Sequence, residues 1–209
     1  MKHISLSVDG TPVSVRSGTT ILDAASSVGI HIPTLCHHEK LKPAGACRVC
    51  HVQVDTATRR EVLLPACASA VEEGMQVRTD TPRVLEARRF VLALLLARAP
   101  QPPKLVEMAR QHGVELRPDA GDPLLAFLSE RVEQRRAELG EAHLSWCILC
   151  GQCVRVCAEV VGRRAIGSAS RGPKKRIATP YFDISDPCIG CGSCAYVCPT
   201  DAITISPAE

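Results

Sequence analysis

Short runs of alternating apolar and polar residues dominate the first part of the chain, a pattern typical of β-strands. Residues 4–8 and 13–15 alternate in this way, and Asp9-Gly10 between them suits a tight turn, so this segment is predicted to form a β-hairpin. Alternation returns at residues 49–54 and 75–78, which predict two further strands.

One predicted helix interrupts these strands. Either Thr19 or Thr20 can cap it, its apolar residues recur at helical spacing from Ile21 onward, and it is expected to end near Gly29. Residues 1–80 are therefore predicted to form an α+β domain of β-grasp type, in which a small sheet grasps one helix.

A helical segment without cysteine follows. Thr81 suits a helix cap and Pro82 suits the first helical position, so a helix is predicted from there to about Ala97. Residues 104–140 predict two more helical pieces, broken by prolines around residues 118–123. We interpret residues 81–140 as a helical spacer between two domains.

Residues 141–209 contain an internal repeat. Each half holds four closely spaced cysteines, followed by an isoleucine-containing stretch at residues 165–167 in the first half and 202–205 in the second. This repeat predicts two similar halves with a short strand beside each cysteine run.

Cysteine content changes this picture most, because the 209 residues include 12 cysteines in three separate groups. A disulfide scaffold is one explanation. The N-terminus does not resemble a signal peptide, however, and no apolar run is long enough to cross a bilayer. We therefore expect a cytoplasmic protein without a transmembrane segment, where thiols stay reduced and clustered cysteines bind metal.

Two cysteine groups share the spacing C-x2-C-x2-C-x3-C, which is typical of bacterial ferredoxins. In that pattern three close cysteines bind one 4Fe–4S cluster and the fourth reaches across to the other. The spacing predicts two sets of ligands, the second quartet of Cys147, Cys150, Cys153 and Cys198 and the third quartet of Cys188, Cys191, Cys194 and Cys157. Residues 141–209 thus predict a bacterial-type two-cluster ferredoxin domain.

The remaining cysteines, here called the first quartet, predict a 2Fe–2S cluster; they are Cys36, Cys47, Cys50 and Cys67. Zinc is the alternative metal, but zinc sites usually pair two C-x-x-C knuckles and this group has one. His37 and His38 raise a second alternative, a Rieske-like site. We favour the 2Fe–2S cluster because four thiolates already complete its ligand shell.

The charge of the sequence gives no argument for a nucleic-acid partner. The sequence carries a formal charge of +3, and three oxidised clusters with their thiolates, at about −2 each, would bring it to about −3. Residues 171–176 form a basic run that is either a solvated loop or a docking patch for an acidic partner. No Gly-rich phosphate loop marks a nucleotide or flavin site.

Several of these motifs together resemble a known family. Residues 32–50, Cys67 and residues 73–79 are similar to the N-terminal iron–sulfur region of the respiratory complex I large subunit. The whole arrangement also resembles the diaphorase small subunit of NAD-reducing nickel–iron hydrogenases, which is closer in length. The resemblance covers nearly all of residues 1–100 and 143–205.

One departure from the family is substantial. Family members usually continue with a histidine and three cysteines that hold a further 4Fe–4S cluster, whereas here Ala99 stands at the histidine position. No cysteine lies between Cys67 and Cys147. Either the series of clusters is shorter in this chain, or electrons pass through a cluster of a partner subunit.

The resemblance implies an electron-transfer subunit of an NAD(P)-linked oxidoreductase, within a hetero-oligomer. It would relay single electrons between a flavin- and NAD(P)-binding diaphorase subunit and a second catalytic subunit, expected to be a nickel–iron hydrogenase. The alternatives are a subunit of a formate or other dehydrogenase, and a free soluble electron carrier.

Overall fold

The computed structural model describes residues 2–119, 121–139, 145–183 and 185–205. Its first part is a five-stranded sheet with one helix, and the elements are β1 (His3–Val8), β2 (Thr11–Arg16), α1 (Ile21–Ser27), β3 (His51–Asp55), β4 (Val62–Pro65) and β5 (Gln76–Arg78). The strand order is β2-β1-β5-β3-β4, with β1 and β5 parallel and the other neighbours antiparallel.

The predicted hairpin is confirmed as β1 and β2, which pair from His3 opposite Arg16 to Val8 opposite Thr11. Asp9 and Gly10 between them both have positive φ, at 48° and 81°. Two consecutive positive φ values give the tight turn whose twist matches that of antiparallel strands.

Helix α1 is also confirmed, with Thr20 as its cap. The Thr20 hydroxyl accepts a hydrogen bond from the backbone N–H of Asp23 at 3.1 Å. Ile21, Ala24 and Ala25 are buried against the sheet, so α1 closes one face of the β-grasp core.

Three longer helices follow, α2 (Pro82–Arg98), α3 (Pro103–Gln111) and α4 (Pro123–Leu139). The Thr81 hydroxyl accepts from the Val84 N–H at 3.2 Å, as the predicted cap requires. The two predicted pieces after α2 are α3 and α4. The break predicted between them includes residue 120, and the predicted boundary near 140 falls at residues 140–144, both outside the described residues.

This helical segment packs on both of its neighbours. Leu92 and Leu96 of α2 share a buried core with Leu35 and Val49 of the first cysteine loops and with Ile148 beside Cys147. The helical segment therefore contacts both cysteine regions, whereas a spacer was expected only to separate them.

The C-terminal part contains only short elements among its described residues. They are α5 (Gln152–Arg155), which continues as one π-helical turn, β6 (Gly167–Ala169), β7 (Arg176–Ala178) and α6 (Ser193–Tyr196). The strand predicted beside the second cysteine run is wrong, because residues 202–205 adopt no strand and β6 pairs with β7 instead.

Together these parts form an α+β fold, with a mixed five-stranded sheet followed by helices and then by a C-terminal part of short elements. Over the described ranges, no helix has the length and apolar character needed to span a membrane.

Candidate metal centres

The first quartet lies at the seam between two cores. Cys50 and Cys67 belong to the core of the sheet, whereas Cys36 and Cys47 belong to the core shared with α2 and α3. All four side chains are buried. The quartet is therefore fixed from both sides by apolar packing.

Hydrogen bonds link these four thiols to one another. Bonds from the thiols of Cys47 and Cys67 lower the pKa of Cys36 to about 2. A bond from Cys67 lowers the pKa of Cys50 to about 7. The bonds to Cys36 raise the pKa of Cys47 and Cys67. Four thiols that influence one another's pKa in this way lie close together, so they can lose their protons and bind one cationic core as thiolates.

The backbone around the first quartet approaches the sulfur atoms closely. The N–H of Cys47 points at Cys36 Sγ, with an N···S distance of 3.3 Å. Gly45 has φ of 57°, and a Cβ there would lie 3.3 Å from the Cβ of Ala68. Only glycine combines this conformation with such a close approach, so the loop fits the donor-rich environment that an iron–sulfur core requires.

Arg88 supports this loop from α2, a role that the sequence pattern did not reveal. The residue is 5% exposed. Its guanidinium donates to the carbonyls of Val49, His51 and Thr79 at 3.1, 3.2 and 3.3 Å. A charged residue on the buried stripe of an amphipathic helix was the available signal, because buried charges are nearly always paired.

The histidines of the Rieske-like alternative are placed differently from the thiols. His38 Nδ1 accepts from the Lys40 N–H at 3.2 Å, and its ring lies edge-on to Tyr196 with ring centroids 6.5 Å apart. The pKa shifts of the four thiols are caused by one another, by burial and by nearby backbone, and by neither histidine. The Nδ1 of His37 is buried and has no hydrogen-bond partner among the described residues. This arrangement favours the four-thiolate shell over the mixed one, and the ligand assignment stays a prediction.

The second and third quartets line two adjacent cavities. One of about 420 Å³ is bordered by all four cysteines of the second quartet, and one of about 310 Å³ by all four of the third. Cys194 borders both cavities. The fourth cysteine of each run, Cys157 or Cys198, therefore lies with the three cysteines of the other run, as the crossed assignment requires.

Backbone N–H groups also point at these sulfur atoms. Leu149, Ala165 and Ala202 donate to the Sγ atoms of Cys147, Cys157 and Cys198 at 3.4, 3.2 and 3.2 Å, respectively. Such donors stabilise negative sulfur, so the cavities fit a 4Fe–4S core in their donor chemistry as well as in their ligands.

Burial decreases from the first quartet to the third. Burial raises the pKa of Cys150 to about 11 and that of Cys153 to about 12. Cys188 and Cys191 are exposed, and a hydrogen bond with the Ser193 hydroxyl lowers the pKa of Cys191. Across the described ranges, no three His, Cys, Asp or Glu side chains are arranged for a single metal ion.

The first and second quartets belong to neighbouring loops in contact. Arg155 donates to the carbonyls of Cys36 and Lys42, and Glu159 accepts from the Lys42 N–H at 3.2 Å. Arg98 of α2 donates to the Cys147 carbonyl at 3.2 Å. These contacts, which join residues far apart in the chain, were not predicted from the sequence.

Comparison with known proteins supports the two-part architecture. Residues 1–82 match the model of a 2Fe–2S iron–sulfur cluster binding domain, and residues 146–202 match that of a 4Fe–4S dicluster domain. These matches support the binding of iron–sulfur clusters in the regions of the three quartets.

Curated relatives match almost the whole chain. The mitochondrial NADH-ubiquinone oxidoreductase 78 kDa subunit of Candida albicans is 31% identical over 99% of this chain and 29% of its own length. NADP-reducing hydrogenase subunit HndD of Solidesulfovibrio fructosivorans is 33% identical over 97% of this chain and 36% of its own. The chain thus spans about a third of the length of these two relatives.

A solved structure shares the fold. A chain in the crystal structure of an NAD+-reducing [NiFe]-hydrogenase in the H2-reduced state superimposes with a TM-score of 0.70 at 23% identity. The match covers 95% of this chain and 86% of that one. The fold of most of the chain is therefore shared with that structure.

Proposed function

We propose that this chain, which matches a 2Fe–2S iron–sulfur cluster binding domain over residues 1–82 and a 4Fe–4S dicluster domain over residues 146–202, is the electron-transfer subunit of an NAD(P)-linked oxidoreductase complex. It relays single electrons between a flavin- and NAD(P)-binding diaphorase subunit and a second catalytic subunit. Its cofactors are one 2Fe–2S cluster held by the first quartet and two 4Fe–4S clusters held by the second and third.

The observation that carries this proposal is the spatial series of the three quartets. The loop of the first quartet contacts the loop of the second, and the cavities of the second and third share Cys194, Ile166 and Ile203 as lining residues. When bound, iron–sulfur clusters accept and release one electron at a time. The chain's contribution is to hold twelve thiolates in three adjacent sets.

The same contacts support the first of the two alternatives for the missing fourth cluster, in which the series of clusters is shorter. Ala99, at the position of the family's histidine, is fully buried in a core with Leu96 and Leu105. Helix α3 packs against α2 in this region. Arg155 donates to the Cys36 carbonyl of the first quartet, and Arg98 of α2 donates to the Cys147 carbonyl of the second. We propose that electrons pass between these two sites without a partner's cluster.

Exposed apolar side chains around the third quartet favour a fixed partner over a free carrier. Ile189 and Ile205 are 56 and 68% exposed, and they line the same cavity as the exposed Cys188 and Cys191. Exposed apolar groups around a functional site are typical of protein interfaces. We therefore place the contact with one catalytic subunit at this end of the chain.

A hydrogenase is our choice for the second catalytic subunit, with a formate or other dehydrogenase as the alternative. Two of the matched proteins bear names of NADP- or NAD+-reducing hydrogenases. We place the complex in the cytoplasm, where cysteine ligands stay reduced. The subunits that co-purify with the chain test this choice, and a formate or other dehydrogenase in place of a hydrogenase would contradict it.

Metal analysis of anaerobically expressed protein tests the cofactor assignment. We expect about ten irons per chain, two from the 2Fe–2S cluster and four from each 4Fe–4S cluster. Electron paramagnetic resonance of the reduced protein should show signals from both cluster types. A preparation rich in zinc and poor in iron would overturn the assignment.

A further inference from the structure

The side chain of Arg155 crosses from the dicluster domain into the 2Fe–2S domain. Its Nη2 donates to the carbonyl of Cys36 at 3.3 Å, and its Nη1 donates to the carbonyl of Lys42. Both acceptors lie in the loop that follows the first ligand of the first quartet. The guanidinium thus contacts the backbone of one cysteine directly.

Arg155 is itself part of a cysteine run. It lies between Cys153, which belongs to the second quartet, and Cys157, which belongs to the third. Because it ends α5 and is followed by a π-helical turn, its backbone is held by the same short helical segment that positions both cysteines. One side chain therefore connects the backbone of all three quartets.

A second contact holds the same loop through a backbone N–H, where Arg155 holds it through carbonyls. Glu159, one helical turn after Arg155, accepts from the N–H of Lys42, whose carbonyl is bonded to Arg155. Leu41 packs against Val156 and Val197 beside these bonds. The loop is thus clamped at one residue by an arginine and a glutamate, above a small apolar contact.

The third nitrogen of Arg155 has a different environment. Its Nε is buried, and it has no hydrogen-bond partner among the described residues. A buried N–H is normally paired, so the unpaired donor of a residue two positions from both Cys153 and Cys157 fits a negative group in this space when the metal sites are filled. Positive charge here also favours the reduced, more negative state of nearby clusters.

We propose that Arg155 is the positioning residue for electron exchange between the first and second quartets. It fixes the distance between the two sites through the Cys36 and Lys42 carbonyls, and it supplies the positive charge that favours reduction of both. This inference rests on the proposed electron-transfer function, because it assumes that both quartets bind clusters.

Three variants of the full chain test this role. Arg155→Gln removes the charge and the forked donor, Arg155→Lys keeps the charge without the fork, and Arg171→Gln removes an exposed charge from the same domain as the matched control. The measurements are iron content, a redox titration followed by electron paramagnetic resonance, and hydrogen exchange at the Lys42 amide.

For Arg155→Gln we expect full iron content and lower midpoint potentials for the 2Fe–2S cluster and the adjacent 4Fe–4S cluster. We also expect the magnetic interaction between these two reduced clusters to weaken. The Lys42 N–H is bonded to Glu159, and that bond depends on the loop position that Arg155 fixes through the Cys36 and Lys42 carbonyls. Loss of the two bonds from Arg155 should therefore raise exchange at the Lys42 amide roughly tenfold to a hundredfold. Arg155→Lys should keep the potentials but show the faster exchange, and Arg171→Gln should behave as the unaltered protein.

Two results would overturn the inference. One is unchanged potentials, magnetic interaction and amide exchange in Arg155→Gln. The other is loss of iron in both Arg155 variants, which would assign the residue to cluster assembly. If the unaltered protein itself lacks iron, the proposed function fails, while the exchange at Lys42 still decides whether Arg155 clamps the loop.

Discussion

We expect the Cys198→Ala variant to damage the 4Fe–4S cluster of the other cysteine run. Cys198 follows Cys194 by four positions, yet it lines the cavity of Cys147, Cys150 and Cys153. Its sulfur accepts from the Ala202 N–H at 3.2 Å, which keeps it turned toward that cavity. Removal of one of four thiolates leaves an incomplete shell, so that cluster should be lost or reduced in iron.

The crossed assignment is decided by matching phenotypes. Cys198→Ala should reproduce the iron loss and the altered electron paramagnetic resonance of Cys153→Ala, whereas Cys157→Ala should reproduce those of Cys191→Ala. Cys50→Ala is the matched control, because it should remove about two irons and leave both 4Fe–4S signals. If Cys198→Ala instead matched Cys191→Ala, each run would bind its own cluster and the crossed assignment would be wrong.

The crossed assignment is a prediction that the sequence alone allows, because the cysteine spacing is local. Three cysteines separated by two residues each can surround one core only from a tight loop, and a fourth, separated by three residues, is carried away by the short helix that contains the third. The helix caps at Thr20 and Thr81 were predictable for the same reason, since a cap involves residues three positions apart.

Features that depend on distant residues were not predictable. Strand β4 begins with Val62-Leu63-Leu64, which has no alternation, and it forms because β3 offers a free edge. Residues 202–205 have a strand-like composition but no pairing partner, because β6 pairs with β7. Tertiary pairing decides whether such short apolar runs become strands.

The contacts between the two cysteine-containing domains could not be predicted for a similar reason. Arg98 and Arg155 look like ordinary helix-terminal arginines in the sequence, and their acceptors are backbone carbonyls 49 and 119 residues away. A carbonyl carries no sequence signal, so neither contact could be read from residue types. The sequence therefore did not reveal how close the first and second quartets lie, and this left open how electrons pass the position of the fourth cluster that is missing at Ala99.

The second prediction with a large expected effect concerns Arg88, the buried arginine of α2, and the stability of the folded protein. We expect Arg88→Met to destabilise the protein by about 3 kcal/mol, because the carbonyls of Val49, His51 and Thr79 would lose a charged donor in a buried site. Methionine is long enough to fill much of the space, so the loss reports the hydrogen bonds more than a cavity.

Arg89→Met is the matched control on the same helix. Arg89 is exposed and forms an ion pair with Asp122 at 3.3 Å, a surface contact worth about 0–1 kcal/mol. For a chain of this size, about 3 kcal/mol corresponds to a fall of roughly 6–12 °C in Tm, and the control should fall by no more than about 4 °C. Thermal unfolding followed by circular dichroism under anaerobic conditions measures both.

Loss of the cluster signals on heating provides a second measurement for comparing these two variants. The three carbonyls that Arg88 binds lie on either side of Cys50 and at the end of β5, so their release loosens the loop of the first quartet before the dicluster domain. On gradual heating, Arg88→Met should therefore lose its 2Fe–2S signal at a lower temperature than its 4Fe–4S signals. Equal shifts in the two arginine variants, or simultaneous loss of all signals, would show that α2 does not hold this loop through Arg88.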